Sequence, residues 1–344
     1  MQEQTGTDAT EVRDPDIDEP GDVDVAPPRR TELSDAAVNG LLLAASLIAI
    51  VAFFSVQTDS FFSGSNALNI LVNSSVLGIV ALGQVTTIIA GGFDLSVSGT
   101  VPLGAVVFAL LVNAGYGVLP ALLLVLLVGL LAGLANGLLV TQLKITPLIA
   151  TLGMMSVTGG LALSIADGVQ IPFTDPAMGI LARRSLLGVN NHVLIFLGLC
   201  AVLLVVLRFT VYGRSIFAVG GNHEAARLSG IPVTLVTLSV YMLSGVFATL
   251  AGAILASQLL TGSGTAGTDM ALQSIAAVIL GGAVLGGGVG GVPGTVMGVL
   301  ILGSLSNGMA IMAVPSFYRT IATGAVLLIA VAISQYRIGA VGSS

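Results

Sequence analysis

Of the 344 residues, 55% are hydrophobic and only 8% are charged, against roughly a quarter charged in ordinary soluble domains, and the mean hydropathy is +1.04. So few charges exclude a soluble globular protein and, with only 11 Lys and Arg in the whole chain, a basic surface for nucleic acid. The net charge of −6 belongs to one end: residues 1–35 hold eleven of the seventeen acids and three arginines, net −8, which leaves the other 309 residues at +2.

Residues 1–35 have no periodic apolar array and cannot bury enough surface to offset the entropy of ordering, so they are expected to form a disordered acidic tail. The first apolar run follows this acidic segment, not a basic one, and lacks a cleavage site of small residues. It is expected to stay as a membrane anchor. Crossing a bilayer takes about 20 apolar residues in a helix, because no water is there to satisfy the backbone. Seven clear stretches are Val38 to Gln57, Leu68 to Ala90, Leu119 to Val140, Pro147 to Ile165, Val193 to Phe209, Val233 to Ser257 and Ile321 to Ser334. Three more, Val97 to Ala114, Leu272 to Gly287 and Gly294 to Ala313, are richer in Gly, Ser and Asn. The expected fold is all-α and integral to the membrane, about ten transmembrane helices over residues 36–338 with a short tail at 339–344.

With ten helices and both termini on one side, Lys144, Arg208, Arg214, Arg227 and Arg337 join Arg29 and Arg30, while Arg183, Arg184 and Arg319 fall opposite. Basic residues accumulate on the cytoplasmic side, so a cytoplasmic N-terminus in a prokaryotic plasma membrane is expected. Tyr116, Tyr212, Tyr318 and Tyr336 stand near helix ends, where rings sit at headgroup level; Tyr241 is the exception. Forty-five glycines without a tryptophan imply helices packed through small faces. Gly91-Gly92 and the segment Gly281 to Gly294 go further and imply irregular backbone, tolerated at membrane depth only when buried in protein or lining a wet path.

Several chemistries are missing. A P-loop needs a lysine at its end, and the single lysine, Lys144, stands in Leu143-Lys144-Ile145. Gly286 to Gly291 matches the dinucleotide fingerprint in spacing but follows no strand. Cys200, alone in the chain, reads as a small core residue. His192 and His223 lie in separate loops without cysteine partners, and no nucleophile has an adjacent base. No cofactor is expected in this chain.

Asp94 is the conspicuous acid, between Gly91-Gly92-Phe93 and Leu95-Ser96. A carboxylate at bilayer centre costs about 2.5–3.5 kcal/mol on insertion scales. Two readings stand: it caps the helix that begins near Ser96, or it lines a solute path. Asn73, Gln84, Asn113, Asn136, Thr151, Gln258 and Asn307 are neutral hydrogen-bonding groups in or beside the helices. Singly, each serves as an interhelical bond; as a set they suit a neutral polar solute such as a sugar. Asp94, Ser96, Asn136, Thr151 and Asn307 are the candidate pathway residues. The segment 213–232 is polar and fits one short helix: Gly220-Gly221 make a turn, Asn222 caps, Glu224 pairs with Arg227, and Gly230 and Pro232 stop it. Its other face offers Ala225, Ala226 and Leu228 as a small apolar knob.

Gly91-Gly-Phe-Asp-Leu-Ser, Asn136-Gly-Leu-Leu-Val, Ile149-Ala-Thr-Leu-Gly-Met, Gly220-Gly-Asn-His-Glu-Ala-Ala-Arg-Leu-Ser-Gly-Ile and Ile275-Ala-Ala-Val-Ile-Leu-Gly-Gly, in this order, resemble the ribose-type permeases of ATP-binding-cassette (ABC) sugar importers over roughly Phe61 to Gln335. His223 and Val289 stand where that family usually has an acid and a basic residue, and Ser98-Gly99 reverses its usual Gly-Ser order. The resemblance implies a type II-like bundle that pairs with a second permease subunit. It also implies a solute-binding protein outside and ATPase subunits inside, which carry the ATP and Mg. Asn222 to Gly230 would be the coupling helix, with Gly221, Asn222, Glu224, Ala225, Ala226, Arg227 and Gly230 as coupling residues. The alternative is an ion-coupled secondary transporter using Asp94 and Asp269, with a passive facilitator as a third class.

Overall fold

The structure, a computed structural model, describes residues 32–183 and 188–342. The expected disordered tail falls outside the described residues up to residue 31, as do Arg184 and the end of the C-terminal tail. The described residues form α1 (Glu32–Gln57), α2 (Gly64–Ile89), α3 (Val97–Asn113), α4 (Val118–Thr141), α5 (Pro147–Ile165), α6 (Asn191–Phe209), α7 (Val211–Gly221), α8 (His223–Leu228), α9 (Val233–Leu259), α10 (Met270–Leu280), α11 (Val292–Ile311) and α12 (Ser316–Gly342). Two-residue strands β1 (Ile171–Pro172) and β2 (Thr261–Gly262) pair antiparallel.

Helix starts follow local chemistry. Ser63 accepts the Asn66 N–H at 3.2 Å to open α2, and α5 and α11 carry Pro147 and Pro293 in the first turn, where a missing N–H costs nothing. Each of the ten apolar stretches contains a helix, but seven helices among the described residues are long and apolar enough to cross a membrane: α1, α2, α4, α5, α6, α9 and α11. α3, α10 and the Ser316–Ile329 part of α12 are shorter apolar helices. α10 stops at Leu280, seven residues before the expected Gly287, because Gly282, Gly287 and Gly288 take φ of +92°, +84° and +72°. At about 1.5 Å per residue it spans roughly 16 Å, about half the hydrocarbon thickness. The expected single helix in 213–232 is two helices: Gly220 and Gly221 close α7, and the chain turns at Asn222 alone, in extended backbone. His192 and His223, expected in loops, both open helices, α6 and α8.

α2 and α9 are central, with 67% of each apolar window buried against 11% in α1. Small faces let helices approach through backbone: Gly129, Gly133 and Gly137 of α4 lie against Gly245, Tyr241 and Leu238 of α9, Gly252 of α9 lies against Val101 of α3, and Gly298 of α11 lies against Ala277 of α10. Leu119, Leu123, Leu127 and Leu131 point outward from α4, and Leu148, Leu152 and Val157 from α5. A belt of this kind suits lipid or a neighbouring membrane subunit. α9 runs about 40 Å from Val233, beside α8, to Leu259, beside β2, which defines an α8 end and a β end.

Candidate functional site

At the α8 end, α2 and α3 are separated by a break at residues 90–96. Gly91, with φ +85°, turns the chain out of α2 in a conformation that disfavours side chains. The Asp94 carboxylate that follows is wholly buried. Its Oδ1 accepts the Ser96 N–H at 3.0 Å and the Ser96 hydroxyl at 2.5 Å. Its Oδ2 accepts the Ser244 hydroxyl of α9 at 2.6 Å. Asn136 of α4 donates its Nδ2 to Ser96 Oγ at 2.7 Å. Gln84 of α2, with its amide oxygen toward the Asp94 N–H and its nitrogen toward the Asp94 carbonyl, closes both backbone groups at 3.2 and 3.0 Å. Leu95 donates its N–H to Thr151 Oγ1 of α5 at 3.1 Å, and the Tyr241 hydroxyl donates to the Phe93 carbonyl at 3.2 Å. Ser98 Oγ accepts the Ala271 N–H at 3.0 Å, in the first turn of α10.

The groups that close on the break come from α2, α4, α5 and α9, with Ser98 of α3 reaching α10, and buried donors and acceptors meet one another. Gln84 and Asn136 each lie five residues before their helix ends and Thr151 four residues after its helix start, so the node sits about one and a half turns inside the α8 end. The Asp94 carboxylate has no open face, and it bonds the Ser96 N–H two residues on and not a first-turn N–H of α3, which opens at Ser96 without a side-chain cap bond. Asp94, Ser96, Asn136 and Thr151 come together. Asn307 does not join them; its Oδ1 is buried on α11 without a partner among the described residues, as is Asn136 Oδ1. Asn113 bonds instead to Pro172 and Thr174 near β1, and Gln258 to His192. Sequence reasoning missed Ser244 and the role of Tyr241. The latter left one trace: a tyrosine away from any helix end.

The second centre is α8. Asn222 Oδ1 accepts the Ala225 N–H at 2.9 Å, the cap expected of it. Arg227 donates Nε and Nη2 to Glu224 at 3.0 and 2.5 Å, and this pairing holds the exposed Glu224 carboxyl below its ordinary range. Gly230, at φ +80°, ends the helix, with its N–H on the Arg227 carbonyl and that of Ile231 on the Ala226 carbonyl, a left-handed closure that glycine favours. The apolar knob needs correction: Ala226 is buried, because it faces the bundle and anchors α8, while Ala225 and Leu228 are exposed.

The two centres meet at a third feature. The Gly288 N–H donates to the Ile89 carbonyl at 2.8 Å, and Gly220 packs its Cα against that carbonyl and against Gly91 and Gly287. A side chain at Gly220 would collide with the Ile89 carbonyl and the Gly288 nitrogen. The end of α2, the end of α7 and the glycine loop after α10 therefore touch backbone to backbone. These are the irregular segments expected from Gly91-Gly92 and Gly281 to Gly294, joined by Gly220, which lies in the last turn of α7 and not in a turn between helices.

Residues 66–331 match the family model described as branched-chain amino acid transport system / permease component. The chain is 39% identical to the ribose import permease protein of Bacillus subtilis (strain 168), over 84% of this chain and 90% of that protein. It is 33% identical to the L-arabinose ABC transporter permease protein of Azospirillum brasilense, over 84% and 86%. It is 34% identical to the xylose transport system permease protein of Escherichia coli (strain K12), over 84% and 90%. No solved structure matches the chain significantly.

Proposed function

The chain belongs to the branched-chain amino acid transport system / permease component family and is a multi-pass membrane subunit of an ABC importer, not an enzyme; from that premise we propose that it passes a monosaccharide, with aldopentoses first in line. What carries this reading is the set of relatives at 33–39% identity over 84% of the chain, whose names specify ribose, arabinose and xylose. The polar groups inside the bundle agree with it. They are mostly hydroxyls and amides, with one imidazole, His192, bonded to Gln258, and the two acids an ion-coupled carrier would need are a sealed Asp94 and an exposed Asp269 bonded to Gln273.

Ten segments span the membrane in this reading, α1 to α6 and α9 to α12, with α10 completed by its glycine loop. The N-terminus and the α8 end are cytoplasmic. This is supported by the meeting of Ile89, Gly220 and Gly287 at one end and of β1 with β2 at the other, since alternate helix ends then share a side. α8 is the coupling helix: Gly221, Asn222, Glu224, Ala225, Arg227 and Gly230 form or shape the surface that seats in the ATPase subunit, which binds ATP and Mg, and Ala226 holds that surface to the bundle. A binding protein delivers the solute at the β end, and a second permease subunit completes the path within the lipid. Closure of the ATPase moves α8, and the glycine contact with α2 and the loop after α10 passes the motion to the break at Asp94, so that the bundle alternates access around the path.

Uptake of labelled pentoses and hexoses into proteoliposomes holding this chain, its ATPase and its binding protein tests the reading. The expected result is uptake that requires ATP and the binding protein; uptake by this chain alone along an ion gradient would overturn it. Reversing Glu224 and Arg227 singly, as E224R and R227E, is expected to leave ATP hydrolysis running while uptake falls. Unchanged uptake would remove α8 from the coupling role.

A further inference from the structure

A cavity of about 630 Å³ opens at the α8 end, between the loop joining α4 to α5, the break after α2, and α8 with the start of α9. This is within the 300–1,000 Å³ of small-molecule sites. Its wall carries Lys144, Arg227 and His223, and no carboxylate stands on it among the described residues. Such a concentration of cationic and imidazole groups is unusual here, because the chain outside the acidic tail has only eight basic residues.

Two of the groups have spare capacity. Glu224 occupies Nε and Nη2 of Arg227 and leaves the Nη1 donors open. Lys144 makes no ion pair with any described residue. It stands at φ +53° in the left-handed closure of α4, where the Ile145 N–H bonds back to the Leu139 carbonyl, which fixes its position at the mouth of the cavity. Deeper in the wall, Thr237 is buried with its hydroxyl unpartnered among the described residues, and Thr234 and Tyr241 line the same space.

We propose that this cavity is an anion site that holds the phosphate group of a small hydroxylated molecule between Lys144 and Arg227, with the hydroxyls of the wall toward the ligand's body. Phosphate suits the donor set, since a compact ammonium and a guanidinium edge both bond its oxygens. An occupant would bridge three parts: the α4–α5 loop through Lys144, the break at Gly91 and Gly92, and the coupling helix through Arg227. A ligand that prefers one arrangement of these parts shifts the bundle toward it, so the bound anion would modulate transport. This consequence rests on α8 being the coupling helix; the binding itself does not. A free sugar phosphate and a phospholipid headgroup share the required chemistry.

Binding to the purified full-length chain in an uncharged maltoside detergent decides it without the ATPase, and so separately from the importer reading. The probes are inorganic phosphate, ribose 5-phosphate, phosphatidylglycerol in mixed micelles, and ribose as the neutral control. Saturable binding of ribose 5-phosphate, weakened about tenfold or more in Lys144→Asn, as the loss of one charge-assisted bond predicts, and restored in Lys144→Arg supports a free phosphorylated ligand. The same pattern with phosphatidylglycerol alone supports the headgroup as the source of the phosphate. Asparagine keeps the left-handed backbone, so folding is preserved. No binding of any phosphate probe, equal binding by Lys144→Asn, or ribose bound as tightly as its phosphate would overturn the site.

Discussion

The chain interrupts its helices at two neighbouring places near the α8 end and secures them by opposite means. The break at Asp94 is tied by polar side chains reaching in from α2, α4, α5 and α9. The contact among Ile89, Gly220 and Gly287 works because side chains are absent and backbones touch. The first arrangement is specific and hard to slide, since each buried group loses its partner if displaced. The second has one direct hydrogen bond, from Gly288 to Ile89, and otherwise smooth contact, so its parts can shift with little loss. If α8 is the coupling helix proposed above, the two serve different ends: a fixed reference inside the bundle and a compliant contact through which α8 would move it.

Removing Asp94 strikes the rigid side and is expected to have the largest effect. Asp94→Ala strips three donors of their acceptor, at about 1–3 kcal/mol for each buried group left unsatisfied, and should lower the thermal midpoint in detergent and abolish uptake. Asp94→Asn keeps one acceptor oxygen and should recover part of the midpoint. If Asp94→Ala melts with the wild type, the node is not holding the break.

Gly220→Val tests the compliant side. Its side chain meets the Ile89 carbonyl and the Gly288 nitrogen, and overpacking of this kind costs about 1–3 kcal/mol, less than the loss of Asp94. Its signature should be functional: uptake falls at least tenfold more than stability would explain, while ATP hydrolysis continues. Gly198→Ala, on α6, is the control, since nothing lies within 4 Å of the added carbon. Equal transport by both variants would dissolve the distinction between the two regions. Asn136→Ala is expected to fall between them, because it removes one bond to Ser96 but also an amide oxygen that has no partner among the described residues.

Much of this was legible in the sequence. Apolar length gave the helices, Asn222, Glu224, Arg227 and Gly230 gave α8 with its cap, pair and stop, and the glycine doublets marked irregular backbone. What stayed hidden depended on distance along the chain. Ser244 lies 150 residues from Asp94, in a helix whose pattern gives no sign of a bonded hydroxyl, and Gly220 looks like any turn glycine until Ile89 is seen beside it. The burial of Ala226 was hidden for a related reason: a six-residue helix is too short for its apolar period to reveal which face turns inward.

The smallest effect should come from the Glu224–Arg227 pair, and pH isolates it. Both side chains are exposed, where ion pairs contribute little to stability, so Glu224→Gln should leave the thermal midpoint unchanged. Pairing with Arg227 lowers the Glu224 carboxyl in the folded chain, so its contribution is complete above the unfolded glutamate value of about 4.3 and is lost as pH falls through the lowered folded value. Coupling that depends on this pair should therefore be flat from pH 8 to about 5, measured as sugar moved per ATP hydrolysed in the reconstituted importer. Glu224→Gln should lower that ratio equally at every pH in the range. A ratio in the wild type that declines already between pH 7 and 6 would mean that another group governs the coupling, since neither partner of this pair changes charge there.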